Sequence, residues 1–128
     1  MKDDKLWRAF SLWIRLRDAD SNGYCRCITS GKLVHWSECD AGHFISRRHM
    51  ATKYDEQNVQ SQSRGHNRFH AGEQHLFGKA LDKKYGPGTA DRILARSRGT
   101  RKFEQFEIDA LTKHYQEEAQ KLKKLKGL

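Results

Sequence analysis

The chain has 128 residues, of which 36% are hydrophobic, a length and composition typical of one small domain spanning residues 1–128. It has no run of about twenty apolar residues and no apolar export segment, so we expect a cytoplasmic protein without a membrane span. The formal net charge of +9 and the pI near 9.7 favour binding to polyanions, nucleic acid first, although a charge that serves only solubility is the alternative.

The first predicted element is a leading helix within residues 1–20. In "DDKLWRAFSLWIRLRDAD", hydrophobic side chains recur at helical spacing at Leu6, Phe10, Trp13 and Ile14. A stripe of this kind is typical of an amphipathic helix that buries one face. Asp3 or Asp4 is placed to serve the amino end of this helix.

Residues 21–48 show a pattern of short strands and turns. Gly and Ser interrupt the apolar groups of "SNGYCRCITSGKLVHWSECDAGHFISRR", which predicts a turn and a hairpin rather than a helix. The three cysteines of the chain, Cys25, Cys27 and Cys39, lie in this segment. An odd number of cysteines favours reduced thiols or metal ligands over a disulfide framework.

Helices are predicted for the second half of the chain. After a loop that begins at Asn58, the segment "NRFHAGEQHLFGKALDKKY" has helical character as far as Tyr85, and the Gly-Pro-Gly at residues 86–88 ends it. A shorter helix is predicted in "TADRILARS". Residues 101–128 are predicted to form a long basic helix, because apolar residues follow one stripe without an interrupting Pro or Gly until Gly127.

The last turns of this helix are rich in lysine. Their positive charge favours the carboxyl end of a helix, and the lysines could also contact phosphates. We interpret them as a solvated helix end and keep phosphate contact as the alternative. The lysines concerned are Lys121, Lys123, Lys124 and Lys126.

Residues suited to phosphodiester hydrolysis lie between the hairpin and the middle helix. Asp40 precedes His43 by three residues, and "NVQSQSRGHNRFH" supplies Asn58, His66, Asn67 and His70. A histidine can take a proton from water near neutral pH, and carboxylate and amide oxygens are hard ligands for a divalent metal. Taken singly, the same residues also suit a hydrogen-bonded core histidine and a turn asparagine.

Several blocks of the sequence resemble the NinG, or Rap, recombination proteins of phage lambda, within the HNH group of ββα-metal endonucleases. The blocks are "AFSLWIRLRDAD", "CITSGK", "DAGHFISRR", "YDEQNVQSQSRGHN" and "KKYG". The resemblance implies an α+β fold in which an HNH motif of β-hairpin and helix, within residues 24–85, is flanked by the leading helix and the long C-terminal helix. It also implies a structure-selective DNA endonuclease of homologous recombination that cleaves branched DNA, such as Holliday junctions and D-loops, with Mg²⁺ or Mn²⁺ and as a homodimer.

The resemblance also assigns roles to residues by position. It makes His43 the general base, Asn58 the residue that fixes the loop and orients the histidine, and Asn67 a metal ligand on the helix. Asp40 is the candidate for the other ligand, although many HNH proteins place the acid directly before the histidine, where this chain has Gly42. The expected phosphate contacts are Arg47, Arg48 and Arg68.

This chain departs from similar NinG-like sequences at their two Cys-x-x-Cys positions, where it reads "CITS" and "SRGH". Cys27 is kept, but the other three places hold Ser30, Ser63 and His66, so the usual four-thiolate zinc site is not expected. A substitute zinc site would have to use Cys25, Cys27, His66 and His70. We favour hydrogen bonds across the gap and core packing by the three tryptophans, Trp7, Trp13 and Trp36.

Two other functions stay open on the sequence alone. One is a basic DNA-binding recombination protein whose catalytic site has decayed together with its zinc cysteines. The other is an HNH nicking endonuclease without branch preference, since branch selectivity depends on overall shape and dimer geometry. The presence of the full set Asp40, His43, Asn58 and Asn67 argues against decay.

Overall fold

The computed structural model of the protein describes residues 2–68 and 73–128. Those residues form an α+β fold with a helix near each end, as predicted. The elements in chain order are α1 (Asp4–Asp18), β1 (Tyr24–Arg26), β2 (Leu33–His35), β3 (Asp40–His43), α2 (Met50–Lys53), β4 (Val59–Gln62), α3 (Arg64–Arg68), α4 (Gln74–Tyr85), α5 (Thr89–Ser97) and α6 (Gln105–Lys126). No helix among the described residues is long and apolar enough to cross a membrane.

The strands form two separate antiparallel hairpins. β1 pairs with β2, with Cys25 opposite Val34. β3 pairs with β4, with His43 opposite Val59 at one end of the ladder. An isolated two-stranded hairpin is at best marginally stable in water, so each hairpin depends on packing against helices.

The main core lies between α1, α6 and the β3–β4 hairpin. The side chains that α1 buries completely include Leu6, Phe10 and Ile14, and Val59 of β4 is equally buried. Helix α6 adds its own buried residues, Ile108, Tyr115 and Ala119. Trp7 and Trp13 pack against this core, and Trp36 packs against a smaller cluster of Ala19, Cys25 and Cys39, as predicted for the tryptophans.

Strand β4 lies where the sequence pattern predicted a loop, and that prediction was wrong. Three of its four residues are polar, yet Gln60, Ser61 and Gln62 are at most 1% exposed. The Gln60 side-chain carbonyl accepts hydrogen bonds from Arg17 and Lys84, and the Ser61 amide donates to the Asp18 carboxylate. The buried residues of this strand are polar because polar partners surround them. The sequence of the strand therefore lacks the alternation of apolar and polar residues by which strands are predicted.

The helical segment predicted up to Tyr85 is also divided differently. It contains a short helix, α3, and a longer one, α4, with the intervening residues 69–72 outside the described part of the chain. The short helix α2 was not predicted, whereas α5 coincides with the predicted "TADRILARS".

Asp3 stands at the amino end of α1 but does not cap it through its side chain. Its carboxylate accepts hydrogen bonds from Lys53 Nζ and Tyr54 Oη, both at 2.6 Å. The start of α1 is thereby tied to the end of α2, on the loop that joins the two strands of the β3–β4 hairpin.

Lys126 joins the carboxyl ends of α1 and α6. Its ammonium group donates to the backbone carbonyls of Leu16, Arg17 and Ala19 at 2.7, 3.1 and 2.7 Å. Carbonyls at a helix end have no partner inside the helix, and they carry partial negative charge. The interpretation of the C-terminal lysines as a solvated helix end is therefore wrong for Lys126, although Lys121 and Lys124 are exposed.

Lys126→Ala should lower the free energy of unfolding by about 1 to 3 kcal/mol, because three carbonyls lose a charged donor. Lys124→Ala removes the same charge from an exposed position of the same turn and should change stability by less than about 0.5 kcal/mol. Urea unfolding followed by circular dichroism measures both variants. Equal losses in the two variants would contradict a specific bond from Lys126.

Candidate active site

Strand β3 and helix α3 together form one wall of an open cleft of about 690 Å³. Asp40 and His43 stand at the two ends of β3, and Asn67 projects from α3. Four arginines also line the cleft, so that its surface is strongly basic. They are Arg15, Arg47, Arg64 and Arg68.

The His43 ring is held on two sides. Its Nε2 lies 3.0 Å from the backbone carbonyl of Lys53, and its plane stacks on Trp7 with 5.0 Å between ring centroids and 23° between planes. A nitrogen that donates to a carbonyl must carry the proton, so in the neutral ring Nδ1 is the proton acceptor. The guanidinium of Arg47 lies 5.2 Å from the centroid of the Trp7 ring.

Burial lowers the pKa of His43 to about 4, because an imidazolium ion would lose hydration inside the protein. The hydrogen bond to the Lys53 carbonyl acts in the opposite direction, and the positive charges of Arg47 and Lys53 lower the pKa further. The ring is therefore neutral at physiological pH and is able to accept a proton.

Asn58 is completely buried at the end of the loop between β3 and β4, and its side chain bonds to the start of that loop and to α2. Its Oδ1 accepts from the Ile45 amide at 2.7 Å, and its Nδ2 donates to the carbonyls of Ile45 and Thr52, each at 3.0 Å. Thr52 directly precedes Lys53, whose carbonyl holds His43. The Asn58 amide therefore fixes the peptide that positions the histidine ring.

Asp40 is bound by side chains of α3. Asn67 Nδ2 donates to Oδ2 at 2.9 Å, and Arg68 donates to both carboxylate oxygens, each at 2.9 Å. Arg64 Nε lies 3.7 Å from Oδ1. Residues 64, 67 and 68 fall on one face of a helix, which explains how three side chains of α3 contact the single carboxylate of Asp40.

Asp40 and Asn67 bring two hard oxygen-bearing groups into contact. The 2.9 Å contact is made by Asn67 Nδ2, so Asn67 Oδ1 would become a ligand beside Asp40 Oδ2 only after the amide group turns over; neighbouring oxygen ligands of Mg²⁺ lie about 3 Å apart in octahedral geometry. No group of three or more His, Cys, Asp or Glu residues within 2–68 and 73–128 is placed to hold a metal. The pair therefore fits a cation that keeps several water ligands, as Mg²⁺ or Mn²⁺ does, better than one enclosed by protein ligands.

The structure gives a reason for Gly42 before the histidine. A Cβ atom at this position would collide with the side-chain carbonyl of Gln62 and would lie 3.0 Å from Asn67 Oδ1. The space that an acidic side chain would need at position 42 is therefore occupied. Asp40, two residues earlier on β3, is the nearest acidic group to Asn67 on this strand.

Gln74 also contacts the strand end that carries His43, and it was missed by sequence reasoning. Its Nε2 donates to the carbonyls of His43 and Phe44 at 3.0 and 2.7 Å. These partners are about thirty residues away along the chain, so no local pattern indicates them.

The sequence analysis also missed two arginines of the cleft, Arg15 and Arg64. Arg64 could have been found from its helical spacing to Asn67 and Arg68. Of the predicted phosphate contacts, Arg47 and Arg68 line the cleft and Arg48 is exposed.

The former Cys-x-x-Cys positions do not assemble the substitute zinc set. The Cys27 sulfur lies 3.5 Å from Ser63 Oγ and accepts a bond from the Ser30 amide at the same distance. Burial by itself would raise the pKa of the Cys27 thiol, but hydrogen bonds led by those from Ser30 and Thr29 outweigh it and lower the pKa to about 6.

The other described members of that set have partners of their own. Cys25 donates to the Arg15 carbonyl at 3.2 Å and packs in the cluster with Cys39. His66 Nδ1 is 3.5 Å from Glu73 Oε1. His70 lies outside the described residues. Ser30 and Ser63 therefore make part of the predicted hydrogen bonding between the segments "CITS" and "SRGH", with Cys27 as their common partner.

Residues 2–126 match the protein family described as "Bacteriophage Lambda NinG protein". The match covers nearly the whole chain, including every residue of the cleft named above. No curated protein and no solved structure matches the chain.

The low pKa of His43 should make the metal-free protein less stable in mild acid. Between pH 6.5 and about pH 4 the unfolded chain binds a proton at His43 that the folded chain does not, so the free energy of unfolding should fall as the pH falls through this window. The contribution of this one group reaches about 3 kcal/mol at the acid end. Urea unfolding in EDTA should show a shallower decline for His43→Asn than for the wild type, and parallel curves would contradict burial of the neutral ring.

Structural zinc should be dispensable. Protein purified without chelator should contain well under one zinc per chain by elemental analysis, and EDTA should leave the Tm unchanged, because Cys27 already has hydrogen-bond partners. One tightly held zinc per chain, or unfolding on chelation, would mean that histidines replace the missing thiolates.

Proposed function

Since the chain belongs to the bacteriophage lambda NinG family of recombination-associated phage proteins, we propose that it is a divalent-metal-dependent endonuclease that cleaves branched DNA. One observation carries the proposal. A neutral histidine and a carboxylate–amide pair suited to Mg²⁺ or Mn²⁺ line the same arginine-rich cleft. Strand β3, strand β4 and helix α3 come in the order strand, strand and helix of an HNH motif, with the short helix α2 in the loop between the two strands.

In the proposed reaction His43 accepts a proton from the attacking water at Nδ1, while the Lys53 carbonyl keeps the proton on Nε2. A phosphate in the cleft would offset the positive charges of Arg47 and Lys53 and so raise the pKa of His43, while burial, the largest cause of its low pKa, would still act against protonation. Asp40 and Asn67 would hold Mg²⁺ or Mn²⁺, which supplies charge stabilisation for the phosphate and the leaving oxygen. Trp7 keeps the imidazole in its plane throughout.

The charge of the cleft supports a nucleic-acid substrate. Arg15, Arg47, Arg64 and Arg68 line it, and the whole chain carries a formal charge of +9. Phosphate neutralisation by such side chains releases counterions and favours DNA over neutral substrates. We extend the proposal to a homodimer, because paired cuts across a junction require two sites, and to the cytoplasm of an infected bacterial host.

Two alternatives remain distinct from this proposal: a nicking endonuclease without branch preference, and a DNA-binding protein with a decayed site. Against decay, Asn58 keeps both of its hydrogen-bonding groups engaged and Asp40 contacts Asn67 directly. A protein that only binds DNA would need the arginines but would not need a buried asparagine that fixes the loop holding His43.

The test is a cleavage assay with a labelled four-way junction and a matched linear duplex in Mg²⁺, Mn²⁺ or EDTA. The wild type should cut the junction only with metal, and His43→Ala should lower the rate by a factor on the order of 10² while leaving junction affinity nearly unchanged. His114→Ala, at an exposed position of α6, is the matched control and should cleave normally.

Each other result has a defined meaning. Equal cutting of junction and duplex would favour the nicking enzyme. Tight binding without cleavage in either metal would favour the DNA-binding protein. Full activity of His43→Ala would overturn the assignment of the base.

A further inference from the structure

The carboxylate of Asp40 is blocked by an arginine of the neighbouring helix. Arg68 donates Nε to Oδ2 and Nη2 to Oδ1, both at 2.9 Å, which is the parallel two-bond geometry of the strongest guanidinium–carboxylate pairs. The Asp40 side chain is only 16% exposed, whereas that of Arg68 is 58% exposed. The bond thus covers a half-enclosed acid with a long side chain that reaches it from the solvent side.

Arg68 is able to leave without carrying the rest of the site with it. Its side chain is long and largely exposed. Asn67 keeps its own bond to Asp40 Oδ2 from the preceding position of the helix. Movement of Arg68 alone would therefore free one lone pair on each carboxylate oxygen, with Arg64 Nε 3.7 Å from Oδ1 and the Asn67 bond to Oδ2 kept.

Asn67 Nδ2 and Arg68 Nε take both lone pairs of Oδ2, and Arg68 Nη2 takes one of the two lone pairs of Oδ1. A divalent cation at this carboxylate would therefore compete with the guanidinium for lone pairs and be repelled by its charge. We propose that Arg68 gates the metal site: in the free protein it closes Asp40, and it must swing away before the carboxylate can bind a divalent cation. This inference rests on the proposed role of Asp40 as a metal ligand.

The gate couples metal binding to phosphate binding. Arg68 lines the cleft, so once released from Asp40 its guanidinium is available to a DNA phosphate there. A phosphate that draws Arg68 away should raise the affinity of the site for metal, and by reciprocity the metal should raise the affinity for the phosphate. The free protein should accordingly bind metal weakly.

The experiment measures Mn²⁺ binding by electron paramagnetic resonance in the full-length protein without DNA. The Asp40-dependent part is defined as the binding that is lost in Asp40→Asn. Arg68→Ala should bind Mn²⁺ about tenfold more tightly than the wild type at this site. Arg68→Lys keeps the charge but loses the two-bond fork, and it should give an intermediate increase.

Removal of a positive charge by itself favours cation binding, so the control must lose the same charge in the same cleft. Arg47→Ala meets this requirement, because Arg47 lies over Trp7 and also lines the cleft. It should change the Mn²⁺ affinity by less than about twofold, because its charge lies over the Trp7 ring rather than on the Asp40 carboxylate and is screened by salt. Circular dichroism establishes that each variant is folded, and Arg68→Lys serves if Arg68→Ala is not.

A second readout follows Arg68 itself. In a spectrum of ¹⁵N-labelled arginine side chains, the Nε–H signal that disappears in Arg68→Lys should shift when Mg²⁺ is added to the wild type. The gate is overturned if neither Arg68 variant binds Mn²⁺ more tightly than Arg47→Ala, if no variant shows Asp40-dependent binding, or if the Arg68 signal is unchanged at saturating Mg²⁺.

These results separate the gate from the proposed function. If the wild type cleaves the junction with metal but the Arg68 variants bind Mn²⁺ no more tightly than the wild type, the gate is rejected and the endonuclease proposal stands. Tighter Mn²⁺ binding by Arg68→Ala in a protein that cleaves no DNA would support the gate and reject the endonuclease.

Discussion

The arrangement of the cleft depends on the buried amide of Asn58. Asn58 directly precedes β4. Its side chain hydrogen-bonds to the backbone amide and carbonyl of Ile45, just after β3, and to the carbonyl of Thr52 in α2. A buried amide without these partners would cost several kcal/mol, so the loop is held in the single conformation that satisfies all of them. The position of the Lys53 carbonyl, and with it the tautomer and orientation of His43, follows from that conformation.

Helix α1 connects this local arrangement to the rest of the molecule. Its buried face forms the main core with α6, while its Trp7 stacks on His43 and its neighbour Asp3 binds Lys53 and Tyr54. Its carboxyl end is held by Lys126 of α6. The long C-terminal helix therefore supports the cleft indirectly, because it holds the helix against which the histidine rests.

The segments "CITS" and "SRGH" meet at the sulfur of Cys27. Cys27 keeps donors around its sulfur, among them the Ser30 amide, and Ser63 lies at its side. Hydrogen bonds of this kind are individually weak, but a buried sulfur with a lowered pKa requires donors around it. Nearby, Val34 and Trp36 pack against the buried cluster of Ala19, Cys25 and Cys39.

The sequence by itself determined the helices near both ends, because a hydrophobic stripe at helical spacing is a local property that does not depend on the partner. It also supplied His43, Asp40 and Asn67, which tertiary folding then brought to one cleft. Only the tertiary structure decided strand β4, the division between α3 and α4, and the bonds of Lys126, Gln74 and Arg68. The reason is the same in each case: Gln60 and Ser61 can be buried only where Arg17, Asp18 and Lys84 meet them, and such partners are distant in the chain. Polar contacts of this kind leave no periodic pattern in the sequence, because each is satisfied by one particular partner rather than by a common apolar face.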